Sequence, residues 1–154
     1  MIYYYQYSSP LGDMMLASLD QTIVYCGQPL ANDEGIKEET PYLRHIARQL
    51  DEYFQGKRTC FDVTFQFLNG TAFQQKVWQA VIQIPYGETR SYQEIAQAIG
   101  HPRAYRAVGS ALRECPISIL IPCHRVISAS GRLGGYGNEI DKKLFLLRLE
   151  QHLC

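Results

Sequence analysis

The sequence predicts an α+β fold in two lobes, a small antiparallel sheet followed by a mainly helical part. Two observations support this prediction. Short runs rich in Tyr, Ile and Val alternate with turns before residue 70, whereas apolar residues recur at helical spacing after it. With 154 residues, 46% of them hydrophobic, the chain can bury a core in one domain or in two small packed lobes.

Three strand-like segments open the first lobe, at residues 2–8, 13–18 and 22–27. They are rich in β-branched, aromatic or other apolar side chains, and the turn sequence Ser-Pro-Leu-Gly joins the first two. Because consecutive short strands joined by tight turns pair in an antiparallel manner, we expect a small antiparallel sheet.

A helix and a further strand follow this sheet. From Pro41 onward, apolar residues recur at helical spacing until Gly56, which predicts a helix packed on the sheet. The sequence Phe-Asp-Val-Thr-Phe-Gln-Phe then predicts another short strand. The turn signal Asn69-Gly70 marks the boundary between a lobe at 1–70 and a second lobe at 71–154.

The second lobe begins with three predicted helices. Thr71 and Gln74 form a capping-box pattern at the start of the first helix, and Ser91 and Glu94 repeat it at the start of the next. Gly-His-Pro follows, and Pro102 suits the first position of a third helix. Two short helices joined by such a turn are typical of a helix-turn-helix, although an ordinary helical hairpin gives the same pattern.

In a helix-turn-helix the second helix would enter a groove of DNA. Its first half combines basic and aromatic side chains with small ones that allow close approach to a duplex: Arg103, Ala104, Tyr105, Arg106, Ala107, Gly109 and Ser110. The charge balance is compatible, since residues 1–70 hold five Lys/Arg against nine Asp/Glu and residues 71–154 hold ten against six. This basic excess is modest and does not by itself establish a nucleic-acid partner.

The cysteines and the apolar segments indicate in which cellular compartment the protein resides. The five cysteines are odd in number and lack CxxC spacing, so neither a disulfide framework nor a zinc site is predicted, and a reducing cytoplasm is favoured. No apolar run approaches the roughly eighteen residues of a membrane span. The start of the chain has neither the basic nor the long apolar region of an export signal.

A cysteine and a histidine lie side by side at the end of an apolar run. Residues 117–122, Ile-Ser-Ile-Leu-Ile-Pro, predict a short extended segment buried on both faces, which would hold Cys123 in dry surroundings. Burial raises the pKa of a thiol, so reactivity needs a base or a positive charge, and His124 and Arg125 are the candidates. Because neighbours in a strand face opposite sides, we expect a turn here and a water between thiol and imidazole.

A carboxylate elsewhere would orient the imidazole of His124. The last predicted helix and its start offer Glu139, Asp141 and Glu150, and chemistry alone does not choose among them. The alternative is that Cys123 is an unreactive core residue and that His124 makes only structural hydrogen bonds.

Longer strings around the cysteine carry a family resemblance. "IPCHRVI", with "RAVGSALRECP" upstream and "GRLGGYGNEIDKKLFLLRLE" downstream, closely resembles the O6-alkylguanine-DNA alkyltransferases, also called methylated-DNA–protein-cysteine methyltransferases. The resemblance covers essentially all of 71–154 and implies a winged-helix-like lobe there, while the N-terminal part resembles the family's ribonuclease-H-like α/β lobe. It implies DNA repair by a single irreversible transfer of a methyl or alkyl group from guanine O6 to a cysteine, with O4-alkylthymine as a further candidate substrate.

The resemblance implies roles for individual residues. Cys123 matches the nucleophile, His124 the water-mediated base, and Glu150 the carboxylate that orients His124. Tyr92 matches a tyrosine that promotes nucleotide flipping and donates a hydrogen bond to guanine N3. Arg106 matches an arginine that fills the gap left by the extruded base.

The resemblance also implies the partner and the pocket. We expect a monomer that binds double-stranded DNA carrying O6-alkylguanine from the minor-groove side, without cofactor, metal or membrane. Tyr136 would stack near the base and the amide of Gly137 would point toward O6. The full set of implied pocket residues is Leu112, Ser118, Val126, Tyr136 and Gly137.

Three positions depart from the family pattern. Cys115 stands where the family usually has an Asn that braces the turn before the active-site segment, and it brings a second thiol close in sequence to Cys123, with which a disulfide could form on oxidation. Tyr105 replaces a usually small residue, and Gly137 stands where some members have Ser. We expect altered substrate tolerance or DNA affinity rather than loss of the reaction.

Two other interpretations remain open. A non-catalytic lesion sensor of the alkyltransferase-like type would share the fold but lack the nucleophile, and Cys123 argues against it. A cysteine hydrolase, or a DNA-binding regulator with Cys123 as a redox switch, would not explain why Tyr92, Arg106 and Glu150 occur together.

Overall fold

The structure is a computed structural model that describes residues 1–30, 35–130 and 140–152. Its N-terminal sheet and C-terminal helices confirm the predicted α+β class. None of the helices in these ranges is long and apolar enough to cross a membrane.

The chain divides into two compact units that are interleaved in sequence. The first comprises Met1–Leu68 and Pro116–Leu120, and the second comprises Asn69–Cys115 and Ile121–Cys154. The chain therefore leaves the second unit after Cys115 and re-enters it at Ile121, two residues before Cys123.

A four-stranded sheet forms much of the first unit. Strands β1 (Ile2–Ser9), β2 (Gly12–Leu19) and β3 (Thr22–Gly27) pair antiparallel in sequence order, as predicted. A short strand β4 (Ile36–Lys37) pairs parallel with β1 at the sheet edge. The sequence does not predict β4, because two residues in a polar segment carry no strand periodicity.

Helix α1 (Pro41–Phe54) contacts β1 and β2 of this sheet. The side chain of Thr40 caps its start by accepting a hydrogen bond from the Leu43 N–H, and Gly56 follows its end with a φ of +76°. The helix ends where the sequence predicts. Its fully buried apolar side chains are Leu43, Ile46, Leu50 and Tyr53.

The predicted strand Phe-Asp-Val-Thr-Phe-Gln-Phe is wrong as a regular strand. Within the described ranges it contributes an isolated parallel bridge between Phe65 and Ile23. Ile23 donates its N–H to the Thr64 carbonyl at 2.8 Å and accepts from the Gln66 N–H at 3.0 Å. Pairing with one residue of β3 fixes the segment without forming a continuous ladder.

The run 117–122 is buried as predicted except at Ser118, which is partly exposed, but it is not an extended strand. Ile117 makes an isolated parallel bridge with Cys26, after which Ile119 adopts a φ of +66°. The Leu120 N–H donates to the Ser118 carbonyl at 2.6 Å, which closes a tight turn around Ile119. A β-branched residue rarely adopts positive φ, so apolar character alone predicts extension here and misses the turn.

The helices of the second unit begin with α2 (Ala72–Ile82) and α3 (Tyr92–Ala98), both with the predicted capping boxes. Helix α4 (Tyr105–Arg113) follows, and α5 (Ile140–His152) ends the described chain. Trp78 is buried on α2 and donates its indole N–H to the Ala111 carbonyl at 2.8 Å, which joins α2 to α4.

The predicted start of α4 at Pro102 is wrong. Pro102 and Arg103 lie in a turn, the Ala104 N–H donates to the His101 carbonyl at 2.9 Å, and the helix begins at Tyr105. The residues that would form the first turn of a helix beginning at Pro102 instead form a separate turn. Arg103 and Ala104 therefore precede α4 and are not part of it.

Two short parallel strands join the start of α3 to the residues that follow Arg125. Strand β5 (Arg90–Ser91) pairs with β6 (Val126–Ile127), and Ser91 is also the N-cap of α3. Because Ser91 opposes Ile127, the first residue of α3, Tyr92, begins next to the segment that contains Cys123. Such a short pair has no sequence signature.

Gly70 and Gly12 allow a matched test of packing at the start of the second unit. Both have positive φ, +112° and +107°, but a Cβ at Gly70 would lie 2.7 Å from the Trp78 ring, whereas a Cβ at Gly12 has no neighbour within 4 Å. We expect Gly12→Ala to cost about 1–2 kcal/mol of unfolding free energy from the backbone alone. Gly70→Ala should cost about 1–3 kcal/mol more, because Trp78 must shift. Urea unfolding followed by Trp78 fluorescence measures both, and equal losses would contradict the close packing.

Candidate active site

Cys123, His124 and Arg125 form one turn of 3-10 helix directly after Pro122. The Cys123 N–H donates to the Ile121 carbonyl at 2.8 Å, and the Arg125 N–H donates to the Pro122 carbonyl at 3.0 Å. The chain thus turns at the thiol, as predicted. All three side chains of the turn are buried, so their polar groups need partners inside the protein.

Glu150 of α5 supplies the main partner. Its Oε2 lies 2.6 Å from His124 Nε2, while Arg125 donates from Nε to Oε1 at 2.7 Å and from Nη2 to Oε2 at 3.0 Å. Of the three carboxylates that the sequence offers, the structure brings Glu150 to His124. Asp141 is exposed, and Glu139 lies outside the described residues.

Arg125 binds Glu150, although its position near Cys123 in the sequence suggests that it activates the thiol. Its guanidinium makes two hydrogen bonds to Glu150, and Nη1 donates to the Ile84 carbonyl at 2.7 Å. The expectation that Arg125 activates the Cys123 thiol is therefore replaced by a different function: it neutralises and orients the buried carboxylate. Sequence reasoning misses this role because the partners lie 25 residues apart.

The two ring nitrogens of His124 differ in their hydrogen bonding. Because a carboxylate only accepts, Nε2 carries the proton that bonds Glu150, and Nδ1 keeps its lone pair. In the described part of the chain Nδ1 has no hydrogen-bond partner. Burial lowers the pKa of His124, although Glu150 acts in the opposite direction, so the imidazole is neutral and can accept a proton at Nδ1.

The Cys123 thiol is close to a second thiol. It forms a hydrogen bond with Cys115, and this bond, followed by burial, raises the pKa of Cys123 well above its usual range. The positive charge of Lys143 acts in the opposite direction. An unassisted Cys123 is therefore a neutral thiol, and a base and a nearby cation favour its ionisation.

Lys143 is a site residue that the sequence does not reveal. Its side chain is buried, and Nζ donates to the Val126 carbonyl at 2.6 Å. Nζ also lies 5.9 Å from the centroid of the Tyr92 ring. Burial lowers the pKa of Lys143 to about 8, so it is still largely protonated at neutral pH. In the sequence, Lys142-Lys143 resembles an ordinary solvated helix face.

Tyr92 presents a buried donor. Its ring lies against α4, since a Cβ at Gly109 would be 3.7 Å from Tyr92 Cε1. Among the described residues its buried hydroxyl has no hydrogen-bond partner, and burial raises its pKa, so it remains a neutral O–H donor. A buried hydroxyl without a partner is unusual in a folded protein and is suited to binding a ligand.

Helix α4 has one buried and one exposed face. Val108, Ala111 and Leu112 are buried, so the predicted pocket residue Leu112 lies on the inner face. The exposed positions include Tyr105 and Arg106, whose guanidinium lies 5.9 Å from the Tyr105 ring centroid. The remaining exposed residues near this helix are Arg103, Ala107 and Ser110.

The other predicted pocket residues are distributed over the chain. Val126 is fully buried in β6, where its carbonyl accepts from Lys143. Ser118 belongs to the first unit, where its N–H donates to the Cys26 carbonyl at 2.7 Å. Tyr136 and Gly137 lie outside the described residues. In the described ranges, His, Cys, Asp and Glu side chains form no group of three or more that could hold a metal ion.

Comparisons with known proteins cover the whole chain. A family model described as 6-O-methylguanine DNA methyltransferase, DNA binding domain, matches residues 72–152, and the ribonuclease-like domain of the same family matches residues 2–67. The chain is 45% identical over 157 residues to the methylated-DNA–protein-cysteine methyltransferase of Methanosarcina barkeri, covering 98% of each protein. It is 46% identical to the protein of that name in Mycobacterium leprae, covering 99% of this chain and 94% of the relative.

Solved structures show the same fold. The Mycobacterium tuberculosis O6-methylguanine methyltransferase superposes with a TM-score of 0.90 at 43% identity, covering 100% of this chain and 95% of the other. The crystal structure of Mycobacterium tuberculosis OGT in complex with DNA gives a TM-score of 0.91 at 43% identity, covering 99% and 94%. The fold and the site define a DNA alkyltransferase with a cysteine acceptor. The chain belongs to the 6-O-methylguanine DNA methyltransferase family.

Removal of the Glu150 carboxylate tests how far the turn depends on it. We expect Glu150→Ala to lower the free energy of unfolding by about 3–5 kcal/mol, because it leaves the buried Arg125 charge without its partner. Glu39→Ala is a matched control, since Glu39 pairs with Arg44 at 3.2 Å on the surface and should contribute about 1 kcal/mol or less. Guanidinium unfolding measures both, and equal losses would contradict the role of Glu150.

Proposed function

We propose that this protein repairs alkylated DNA by transferring a methyl or alkyl group from guanine O6 to Cys123. The observation that carries the proposal is a buried thiol next to a neutral imidazole whose Nε2 is held by Glu150 and whose Nδ1 is available. The relatives' names, which specify methylated DNA as donor and a protein cysteine as acceptor, support the same chemistry.

The first step is ionisation of the nucleophile. Cys123 gives up its proton, which reaches His124 Nδ1 through a water, while Glu150 holds the opposite side of the ring. Arg125 donates two hydrogen bonds to Glu150 and orients its carboxylate, which stabilises the imidazolium that forms. The charge of Lys143 stabilises the thiolate.

The second step is an in-line displacement at the alkyl carbon. The sulfur forms a bond to that carbon, the bond between carbon and O6 breaks, and its electron pair passes to the guanine, which leaves as an anion. The Tyr92 hydroxyl, a neutral donor, supplies a hydrogen bond at N3 and so stabilises the developing charge. Because a thioether is a poor leaving group, each molecule reacts once.

Access to the alkyl group requires the nucleotide to leave the duplex. The α3–turn–α4 segment binds double-stranded DNA from the minor-groove side, and the exposed Arg106 enters the space of the extruded base. The small residues Ala107, Gly109 and Ser110 allow α4 to approach the backbone closely. The crystallised Mycobacterium tuberculosis relative in complex with DNA supports this partner. O4-alkylthymine is a further candidate substrate.

The proposed domain organisation agrees with the residues that the two family models match. We propose an N-terminal ribonuclease-H-like domain at 1–70 and a DNA-binding and alkyl-transfer domain at 71–154, which the matches at 2–67 and 72–152 support. The proposed reactive groups all belong to one chain, so a monomer suffices. A reducing cytoplasm would keep Cys123 competent.

Mass spectrometry of the intact peptide tests the transfer. Incubation with duplex DNA carrying O6-methylguanine should add one methyl group to the peptide that holds Cys123, stoichiometrically and once only. Cys123→Ala should remain unmodified. Tight lesion binding by the unaltered chain without modification would instead indicate a lesion sensor, and repeated turnover would indicate a hydrolase.

Replacement of Arg106 separates nucleotide flipping from chemistry. Arg106→Ala should slow transfer from paired DNA by about tenfold or more, equivalent to about 1.4 kcal/mol, because the gap in the duplex is left unfilled. Transfer from the free base O6-benzylguanine should change far less. Arg148→Ala, an exposed arginine on α5, serves as the control for lost charge. Equal losses on both substrates would contradict the role of Arg106.

A further inference from the structure

We propose that Tyr86 is a positioning residue for alkyl transfer, which acts on the proton acceptor His124 through the buried Arg125. The inference rests on the proposed function, because it concerns the same proton transfer. It goes beyond that function because it assigns a role to residues 84–87, which follow α2 and contain none of the proposed reactive groups.

The segment 84–87 makes two contacts with the guanidinium of Arg125. The Ile84 carbonyl accepts a hydrogen bond from Arg125 Nη1 at 2.7 Å, and the guanidinium carbon lies 5.7 Å from the centroid of the Tyr86 ring. A guanidinium at this distance from an aromatic ring is attracted by the charge distribution of the ring, more strongly where water is excluded. Arg125 is only 6% exposed, so the Tyr86 ring compensates in part for the hydration that the guanidinium has lost.

The same segment also contacts the carboxylate that Arg125 binds. The Gly87 N–H donates to Glu150 Oε1 in a long hydrogen bond of 3.4 Å, and the same oxygen accepts from Arg125 Nε at 2.7 Å. Gly87 has a φ of +80°, which glycine adopts at little cost, and it directly follows Tyr86 in the chain. Two adjacent residues of this segment therefore contact both members of the buried Arg125–Glu150 pair.

These contacts extend to the proton acceptor through Glu150. Its Oε2 lies 2.6 Å from His124 Nε2 and also accepts from Arg125 Nη2 at 3.0 Å, so the guanidinium and the imidazole share one carboxylate oxygen. A displacement of the guanidinium would therefore change both the position of this oxygen and the charge beside the imidazole. Tyr86 acts on His124 through Arg125, so its role is one of positioning and not of catalysis.

The charges around His124 give the direction of the effect. Burial is the main cause that lowers the pKa of His124, and Glu150 of α5 acts in the opposite direction. Arg125 of the turn and Lys143 of α5 carry positive charges that lower this pKa further. Loss of the Tyr86 ring allows the guanidinium to move toward water, which weakens the effect of Arg125 and raises the pKa of His124. Because only the neutral imidazole accepts the thiol proton, transfer then stops at a higher pH than in the unaltered chain.

The pH profile of transfer from the free base O6-benzylguanine tests this role without DNA binding. We expect Tyr86→Leu to move the acid limb of the profile up by about half a pH unit, which makes transfer on that limb about threefold slower. Tyr86→Phe keeps the aromatic ring and should retain the profile of the unaltered chain. Tyr42→Leu, which removes a half-buried tyrosine of the first unit, is the control and should also retain it.

Two precautions separate positioning from stability. Rates are compared only at pH values where circular dichroism shows each variant to be folded, because a purely structural role would not move the acid limb of a folded protein. Fluorination of the ring in Tyr86→Phe weakens its attraction for a cation with little change in shape, so this series tests the contact even where Tyr86→Leu does not fold. Each added fluorine should move the acid limb further toward higher pH.

An NMR titration follows the ionisation of His124 directly. The chain has four histidines, and substitution of the other three in turn assigns the remaining ring signal to His124. This signal should titrate at a higher pH in Tyr86→Leu than in the unaltered chain or in Tyr86→Phe. Equal shifts in Tyr86→Leu and Tyr86→Phe, or no shift of the limb and the titration in Tyr86→Leu, would overturn the inference. Absence of transfer by the unaltered chain would instead refute the proposed function, while the titration would still test the contact.

Discussion

The buried carboxylate of Glu150 is the contact on which the reactive turn depends. Burial of a carboxylate costs roughly several kcal/mol of hydration free energy, so a buried carboxylate is stable only where hydrogen-bond donors or positive charges contact it. Here two hydrogen bonds from Arg125 and one from His124 satisfy it. Arg125 also bonds the Ile84 carbonyl, so one charge network ties α5, the turn and the segment after α2 together. Side-chain hydrogen bonds to Glu150 thus add to the backbone hydrogen bonds of the 3-10 turn at Cys123–Arg125.

The charged groups of this network also affect the pKa values of His124 and Cys123. Burial lowers the pKa of His124, and the positive charge of Arg125 acts in the same direction against the pull of Glu150, so the imidazole is uncharged. The positive charge of Lys143 then acts on the thiol, in opposition to burial and to Cys115. The net effect is a pKa of Cys123 well above its usual range, so the unassisted thiol is protonated, which is compatible with the role that we propose for it.

The sequence predicts the parts of this structure that local patterns determine. The capping residues Thr71 and Ser91 mark helix starts because their side chains bond within the first turn. Local rules fail at two positions: Ile119 has a positive φ in a segment whose apolar pattern predicts a strand, and Pro102 lies in a turn where the sequence predicts the first residue of a helix. The sequence does not predict the burial of Lys143, because its hydrogen-bond partner, the Val126 carbonyl, lies 17 residues away in the chain.

The family resemblance adds what local patterns cannot. It selects Glu150 from three carboxylates, and the structure brings that residue to His124. It offers no guidance at Cys115, because the chain departs from the pattern there. The structure adds that Cys115 contributes to the raised pKa of Cys123.

The interleaving of the two units has a consequence for synthesis of the chain. The first unit includes Pro116–Leu120, so its full set of contacts can form only after about fifty residues beyond Leu68 have been synthesised. Cotranslational folding is thus coupled across the chain, and a nascent protein stalled before residue 116 would expose the β3 edge groups of Cys26 that Pro116 and Ser118 later satisfy.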